Sequence, residues 1–255
     1  MMKSTPKNKR QHFFAKIIGT LALLIVGTYF LIKIIFAPPF VKYKDFGIMI
    51  PTGYSIHGID VSHHQSTINW KLVKEMQDDG VRLEFAFIKA TEGSFTVDNR
   101  YRRNWVEAKE AGMVRGAYHF FIPTRSGAAQ AKNFIETVLI EEGDMAPVLD
   151  VEKSMGKSAA NIQEGVREWL NIVEEQYGMR PIIYSNVYFY ETYLAGAFDD
   201  YPLWVAHYFA DGKPRIQRDW AVWQHSESGR VNGIKTNVDF NVFSGGKWAF
   251  TQLIK

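Results

Sequence analysis

The 255-residue sequence predicts an α/β barrel of eight strands and about five helices, incomplete on one side, behind one N-terminal apolar helix. Three observations predict it. From Ile56 onward, short strand-like runs alternate with longer runs of helical period, as five β-then-α units. The last three strand-like runs leave little room for helices between them, which favours a barrel over an open nucleotide-binding sheet. Residues 13–36 are almost wholly apolar and precede everything else.

The chain begins with a polar, basic tail, residues 1–12. The uncharged stretch from Ile17 to Ile32 lies between Lys16 and Lys33, whose ammonium groups can snorkel while apolar residues continue beyond them. Residues 13–37 are therefore long enough to cross a bilayer, and their all-round apolarity does not suit a buried core helix. Eight of the 30 basic residues fall in residues 1–44, which hold no acid, and the remainder carries 22 basic against 27 acidic residues, a net of −5. Basic residues on the N-terminal side orient the span with residues 1–12 in the cytoplasm and 40–255 outside, as a single-pass membrane protein. The competing reading is a cleaved signal peptide and a secreted domain. The positions Ile35, Phe36, Ala37 and Pro38 offer no small-x-small cleavage site, which favours the uncleaved anchor. Residues 38–54, with Pro38, Pro39, Pro51 and Gly53, read as a linker.

The strand-like runs are 56–61, 84–90, 114–121, 146–152, 181–185, 203–208, 220–225 and 234–240. Helix-like runs are 69–79, 99–111, 126–141, 158–177 and a short one near 187–194. The fourth helix carries Ile162, Val166, Trp169, Leu170 and Val173 on one face and stops at Gly178. The barrel occupies residues 55–246, and 247–255 remain as a C-terminal tail.

Residues 146–152, Ala-Pro-Val-Leu-Asp-Val-Glu, are a short apolar run ending in two acids. Strand alternation puts Val148, Asp150 and Glu152 on one face and Leu149 and Val151 on the other. The two carboxylates then stand roughly 6–7 Å apart along the strand. With water partly excluded they cannot both ionise freely, so one keeps its proton toward neutral pH, as glycosidic cleavage requires of its acid. The same pair also suits a helix cap or pairing with Lys153 or Lys157. Strand ends in such barrels gather functional residues at one rim. Here they supply Asp60, Glu92, Tyr118, His119, Asp150, Glu152, Tyr184, Ser185, Trp204, His207, Tyr208, Trp223, Gln224, Asp239 and Asn241, an acidic and aromatic set suited to sugars.

Other chemistries find little support. The negative balance of the barrel argues against a nucleic-acid partner. There is no cysteine, and no Gly-x-Gly-x-x-Gly or phosphate-cradling loop follows a strand. No Gly-x-Ser-x-Gly elbow is present. His63 and His64 with Asp60 could suggest a metal-dependent deacetylase, but adjacent residues of an extended segment point apart and no helical His pair accompanies them. No metal or cofactor is expected.

Eight blocks occur in an order that resembles glycoside hydrolase family 25, the Chalaropsis-type lysozymes or N-acetylmuramidases. They are His57-Gly-Ile-Asp-Val-Ser62, Phe87-Ile-Lys-Ala-Thr-Glu-Gly93, Gly116-Ala-Tyr-His-Phe120, Pro147-Val-Leu-Asp-Val-Glu152, Ile183-Tyr-Ser185, Leu203-Trp-Val-Ala206, Trp223-Gln224 and Val238-Asp-Phe-Asn241. The resemblance runs from about residue 56 to residue 243. It implies a flattened, incomplete TIM-like (β/α)5β3 barrel that hydrolyses the β-1,4 bond between N-acetylmuramic acid and N-acetylglucosamine in peptidoglycan. It also implies Glu152 as general acid and Asp150 as the group that orients the acetamido substituent or stabilises developing charge. Asp60 and Asp239 complete the acidic cluster, as nucleophile or as supporting acids. Net retention of configuration is expected by either route. Tyr118, Tyr184, Trp204, Gln224 and Glu92 match substrate-binding positions, and the implied catalytic domain is monomeric. After Glu92-Gly93, related sequences often read Asp-Pro. Here Asp98 is followed by Asn99, with Arg100, Arg102 and Arg103 interleaved, read as a solvated helix start. The alternative function is a catalytically silent glycan-binding module, which loss of Asp150 or Glu152 would have signalled.

Overall fold

A computed structural model describes residues 15–28, 38–208 and 210–255, in two units, residues 1–39 and Phe40–Lys255. In the first unit residues 15–28 form helix α1, with every described position exposed, including Ile18, Leu23, Leu24 and Ile25. Among the described residues no helix is long and apolar enough to cross a membrane. The remainder of the expected span, residues 13–14 and 29–37, lies outside the described residues, as does the basic tail 1–12.

The second unit begins with strands β1 (Phe40–Tyr43) and β2 (Ile48–Pro51), an antiparallel hairpin. Then follow β3 (His57–Val61), α2 (Trp70–Glu75), β4 (Gln77–Asp78), β5 (Val81–Glu92), β6 (Thr96–Val97), α3 (Tyr101–Glu110), β7 (Val114–Phe120) and α4 (Gly127–Thr137). The chain continues with β8 (Val148–Asp150), α5 (Ala159–Tyr177), β9 (Ile182–Asn186), the short α6 (Val187–Phe189), β10 (Leu203–Ala206), β11 (Val222–Gly229), β12 (Val238–Phe243) and α7 (Lys247–Thr251).

Eight strands run β3-β12-β11-β10-β9-β8-β7-β5, and β5 pairs back onto β3. The sheet is therefore a closed ring, and only the helical layer is incomplete. Strands from β3 to β11 are parallel to their ring neighbours, while β12 is antiparallel to both β11 and β3. Helices follow the first five ring strands, and among the described residues none lies between β10, β11 and β12. Ser126 and Ser158 cap α4 and α5 with their hydroxyls, and Gly178 ends α5 in the left-handed conformation. The expected face of α5 is buried, and each of its large apolar side chains contributes about 1.5–3 kcal/mol.

Alternation sorts the ring residues into two apolar clusters. Phe85, Phe87, Val148, Ile182, Trp204 and Val222 fill the interior, whereas Ile59, Ile88, Leu149, Val151, Ile183 and Val205 face the outer layer. Gly58 and Gly116 make room for this filling, since a β-carbon there would lie 2.5 Å from the Phe85 ring and 2.6 Å from the Phe87 ring.

Among the boundaries that differ from expectation, three bear on how the barrel is covered and joined. Residues 38–54 are not a linker: Phe46, Ile48 and Ile50 are buried, and Phe46 lies 5.1 Å from Phe240, centroid to centroid. With no helix over β11 and β12, Trp223 and Phe240 need cover, and Phe40 also packs edge-on against Trp223. The tail 247–255 carries α7, whose Phe250 packs on Phe85 and Phe243, and Ile254 bridges to Met145. The helix expected over 69–79 stops at Glu75 because Asp79 and Gly80, both at positive φ, turn the chain so that Gln77–Asp78 pairs with Val81–Arg82.

Candidate active site

The inward period of most ring strands delivers polar residues to the mouth of the barrel. In β8, Asp150 follows the interior Val148, while Leu149 and Val151 pack outward as expected. The strand ends at Asp150, so Glu152 projects from the following loop, half-buried rather than strand-bound.

Asp60 anchors the floor. Its Oδ2 accepts hydrogen bonds from Gln224 Nε2 at 2.8 Å and Asn241 Nδ2 at 2.7 Å. Both amides are themselves oriented. Gln224 Oε1 accepts from the hydroxyls of Tyr184 at 2.9 Å and Tyr208 at 2.6 Å, and Asn241 Oδ1 accepts from Trp204 Nε1 at 2.8 Å. Asp239 lies opposite Asp60 in the antiparallel register. Burial raises both carboxyls, the Asp60 charge raises Asp239 further, and a hydrogen bond joins the two acids. Such a pair holds a proton near neutral pH.

Burial also pushes Asp150 well above the carboxylate range, and the charge of Glu152 adds to that, against the pull of Lys89 and Lys153. Asp150 Oδ1 is buried without a hydrogen-bond partner. Glu152 is raised by burial as well, with Lys153 and Lys89 opposing. Two acids with elevated proton affinity therefore share one corner of the mouth, one buried and one accessible, an arrangement able to give and take a proton at a bound sugar.

Residues 59–234 match the family model "Glycosyl hydrolases family 25". The chain belongs to that family. It is 50% identical over 202 residues to the "Uncharacterized protein YegX" of Escherichia coli K12, covering 79% of this chain and 74% of that protein. Lysozyme M1 of Streptomyces globisporus is 36% identical over 207 residues, covering 74% of this chain and 68% of its own. Among solved structures, a family 25 glycosyl hydrolase from Bacillus anthracis superposes with a TM-score of 0.74 at 29% identity, over 81% of this chain and 96% of that one.

Within this family 25 barrel, Asp60, Asp150, Glu152, Asp239, Tyr118, Tyr184 and Gln224 all meet at the mouth, but not all line it. Trp204, expected as a groove wall, is 2% exposed, stacked on Phe87 at 4.4 Å and committed to Asn241. Gln224 and Tyr184 are likewise buried, so these three position the acids from beneath. Tyr118 is largely buried at the mouth, and burial first and the surrounding acids second keep its hydroxyl neutral. Glu92 stands at the edge, 2.6 Å from Lys89 Nζ.

Three participants were not selected from the sequence. Tyr208 and Asn241 stand out in the sequence only as strand-end residues. Lys89 went unnoticed, although the alternation Phe85, Phe87, Lys89 marks it as inward. His63 is engaged elsewhere: its Nδ1 and backbone N–H lie 2.8 and 2.9 Å from Asp98 Oδ2, while Asp98 Oδ1 accepts from the Arg100 N–H. Arg103 pairs with Glu107 at 2.8 Å and Arg102 is exposed, as a solvated helix start requires. A surface hollow lies away from the acids, between α2, α3 and residues 233–235, with Lys71, Lys74, Glu75, Arg103, Glu107 and Glu110 as mixed charges around it.

Proposed function

We propose that this chain is a membrane-tethered muramidase, with Glu152 as general acid and Asp150 as the group that steers the substrate acetamide. Membership of family 25 makes it a glycoside hydrolase, and its similarity to a named lysozyme makes peptidoglycan the substrate. The observation that carries the residue roles is the buried, unpartnered Oδ1 of Asp150 beside the accessible Glu152.

In the free site burial raises the proton affinity of both carboxyls, and most for the deeper Asp150, so the pair keeps a proton toward neutral pH. A sugar acetamide N–H donated to Asp150 favours the ionised form of that acid and leaves the proton on Glu152. Glu152 then protonates the leaving glycosidic oxygen as that C–O bond breaks, while the acetamide oxygen forms a bond to the anomeric carbon. Asp150 balances the positive charge on the resulting ring. Water, losing a proton to the Glu152 carboxylate, opens that ring, which returns Glu152 to its acid form and leaves the anomeric configuration retained. Asp60, fixed by Gln224 and Asn241, and its partner Asp239 support the floor of the cluster.

Full-length protein incubated with purified peptidoglycan should release soluble glycan. Glu152→Gln should lose at least ~10²-fold of that rate, within the usual worth of a general acid. Release by the variant at the wild-type rate would remove Glu152 from the role.

The anchor belongs to the same reading. Residues 13–37 span the membrane uncleaved, residues 1–12 stay in the cytoplasm, and the barrel faces the wall. The uncovered apolar surface of α1 and the basic residues before it support this. Native protein should remain with membranes through alkaline carbonate washing. Its appearance in the soluble fraction would favour a cleaved signal.

A further inference from the structure

We propose that Lys89 is a positioning residue for the hydrolysis, holding the Asp150–Glu152 pair in a state with one proton and one negative charge. The proposal rests on the reading of that pair as acid and acetamide-steering group. Lys89 is the third inward residue of β5 after Phe85 and Phe87, so strand period alone carries an ammonium into an acidic mouth. Its position there is built. One register row crosses three neighbouring strands as Glu92, Phe120 and Asp150. Lys89 Nζ lies over the middle of that row, 4.8 Å from the Phe120 ring centroid and 2.6 Å from Glu92 Oε2, and the side chain is 12% exposed.

The charged and titratable groups around it are known from every adjoining element. Glu92 comes from its own strand, Asp60 from β3, His63 and Asp98 from the turns beyond β3 and β6, Tyr118 and His119, the latter kept neutral by burial, from β7, and Asp150, Glu152 and Lys153 from β8 and its loop. His63 is already engaged by Asp98, and Lys153 is exposed, where solvent screens it. Lys89 is thus the shielded cation beside two acids that burial and mutual repulsion would otherwise leave neutral. A neutral Asp150 cannot accept the acetamide N–H as a carboxylate, so the ammonium keeps the ionised form within reach. Glu92 tempers that pull and leaves a proton for Glu152.

The test is the pH dependence of kcat/KM on purified peptidoglycan, using the full chain and its Lys89→Met, Lys89→Arg and Glu92→Gln variants. Removing the cation should move both limbs of the profile to higher pH, by roughly one unit for an opposite charge at this range. Lys89→Arg should restore the wild-type limbs. Glu92→Gln should move both limbs the other way, to lower pH, because it removes a competing negative charge. An active Lys89→Met enzyme with unmoved limbs would overturn the proposal. Should Lys89→Met not fold, the sign of the Glu92→Gln shift decides alone: downward supports, unmoved or upward overturns. A wild-type chain with no glycosidase activity would instead overturn the functional reading itself.

Discussion

Asp239 and Asp60 face each other across two antiparallel strands, and their proximity has a cost that depends on pH. The folded-state proton affinity of Asp239 is raised above its unfolded value, by burial first and by Asp60 second. A carboxyl of that kind favours the folded state at low pH, where it is protonated in both states. That contribution is lost as pH rises from the ordinary carboxylate range through the raised folded value. Asp239→Asn should therefore flatten the stability profile above about pH 5, with the variant gaining most relative to wild type at alkaline pH. Urea midpoints at acidic and alkaline pH check this. An equal midpoint difference at both would contradict the shared proton. Most of the acids were legible from the sequence because strand ends and the Asp-x-Glu spacing reveal them. The misassignment of Trp204 had a physical cause. An aromatic residue near a strand end is read as a sugar platform, whereas here its N–H is spent on Asn241 and its ring on Phe87. Period shows which face a side chain takes, but not how deep along the barrel axis it lies.

At the scale of elements, the hairpin β1–β2 does the work that a helix does elsewhere in the ring. Its Phe46, Ile48 and Ile50 cover the outer faces of β11 and β12. Phe46→Ala, which uncovers the Phe240 ring, should cost about 3–5 kcal/mol, the usual loss for a buried Phe, read as a lowered urea midpoint. A loss under ~1 kcal/mol would mean that the hairpin is not part of the fold. The signal is present in the sequence, since buried Ile48, exposed Met49 and buried Ile50 alternate over three residues. Pro38, Pro39, Pro51 and Gly53 at its ends drew the reading toward a linker. The five helices were legible from period and caps, whereas α2 was read as too long because Asp79-Gly80 is a turn signal inside an otherwise helical pattern.

For the whole molecule, the folded unit begins at Phe40, directly after the proposed span 13–37. Under the proposed anchoring, such a tether would confine cutting to glycan near the membrane. Inserting a flexible spacer after Pro39 should increase digestion of intact wall from the membrane-bound enzyme, and leave the rate on soluble glycan unchanged. Equal digestion of intact wall with and without the spacer would contradict a short tether. The order of strands and helices around the ring was readable because each β-α unit is a local pattern. Closure of β5 onto β3 was not, because that pairing depends on strand tilt and stagger rather than on any residue.

The account stands or falls on which bond is cut and which residue supplies the proton. The most direct measurement digests purified peptidoglycan with the wild-type chain and with Glu152→Gln, reduces the new ends with borohydride and identifies them by mass spectrometry. The wild type should give reduced muramic acid ends, and the variant none above background. Reduced glucosamine ends, or equal muramic acid ends from both proteins, would contradict the account.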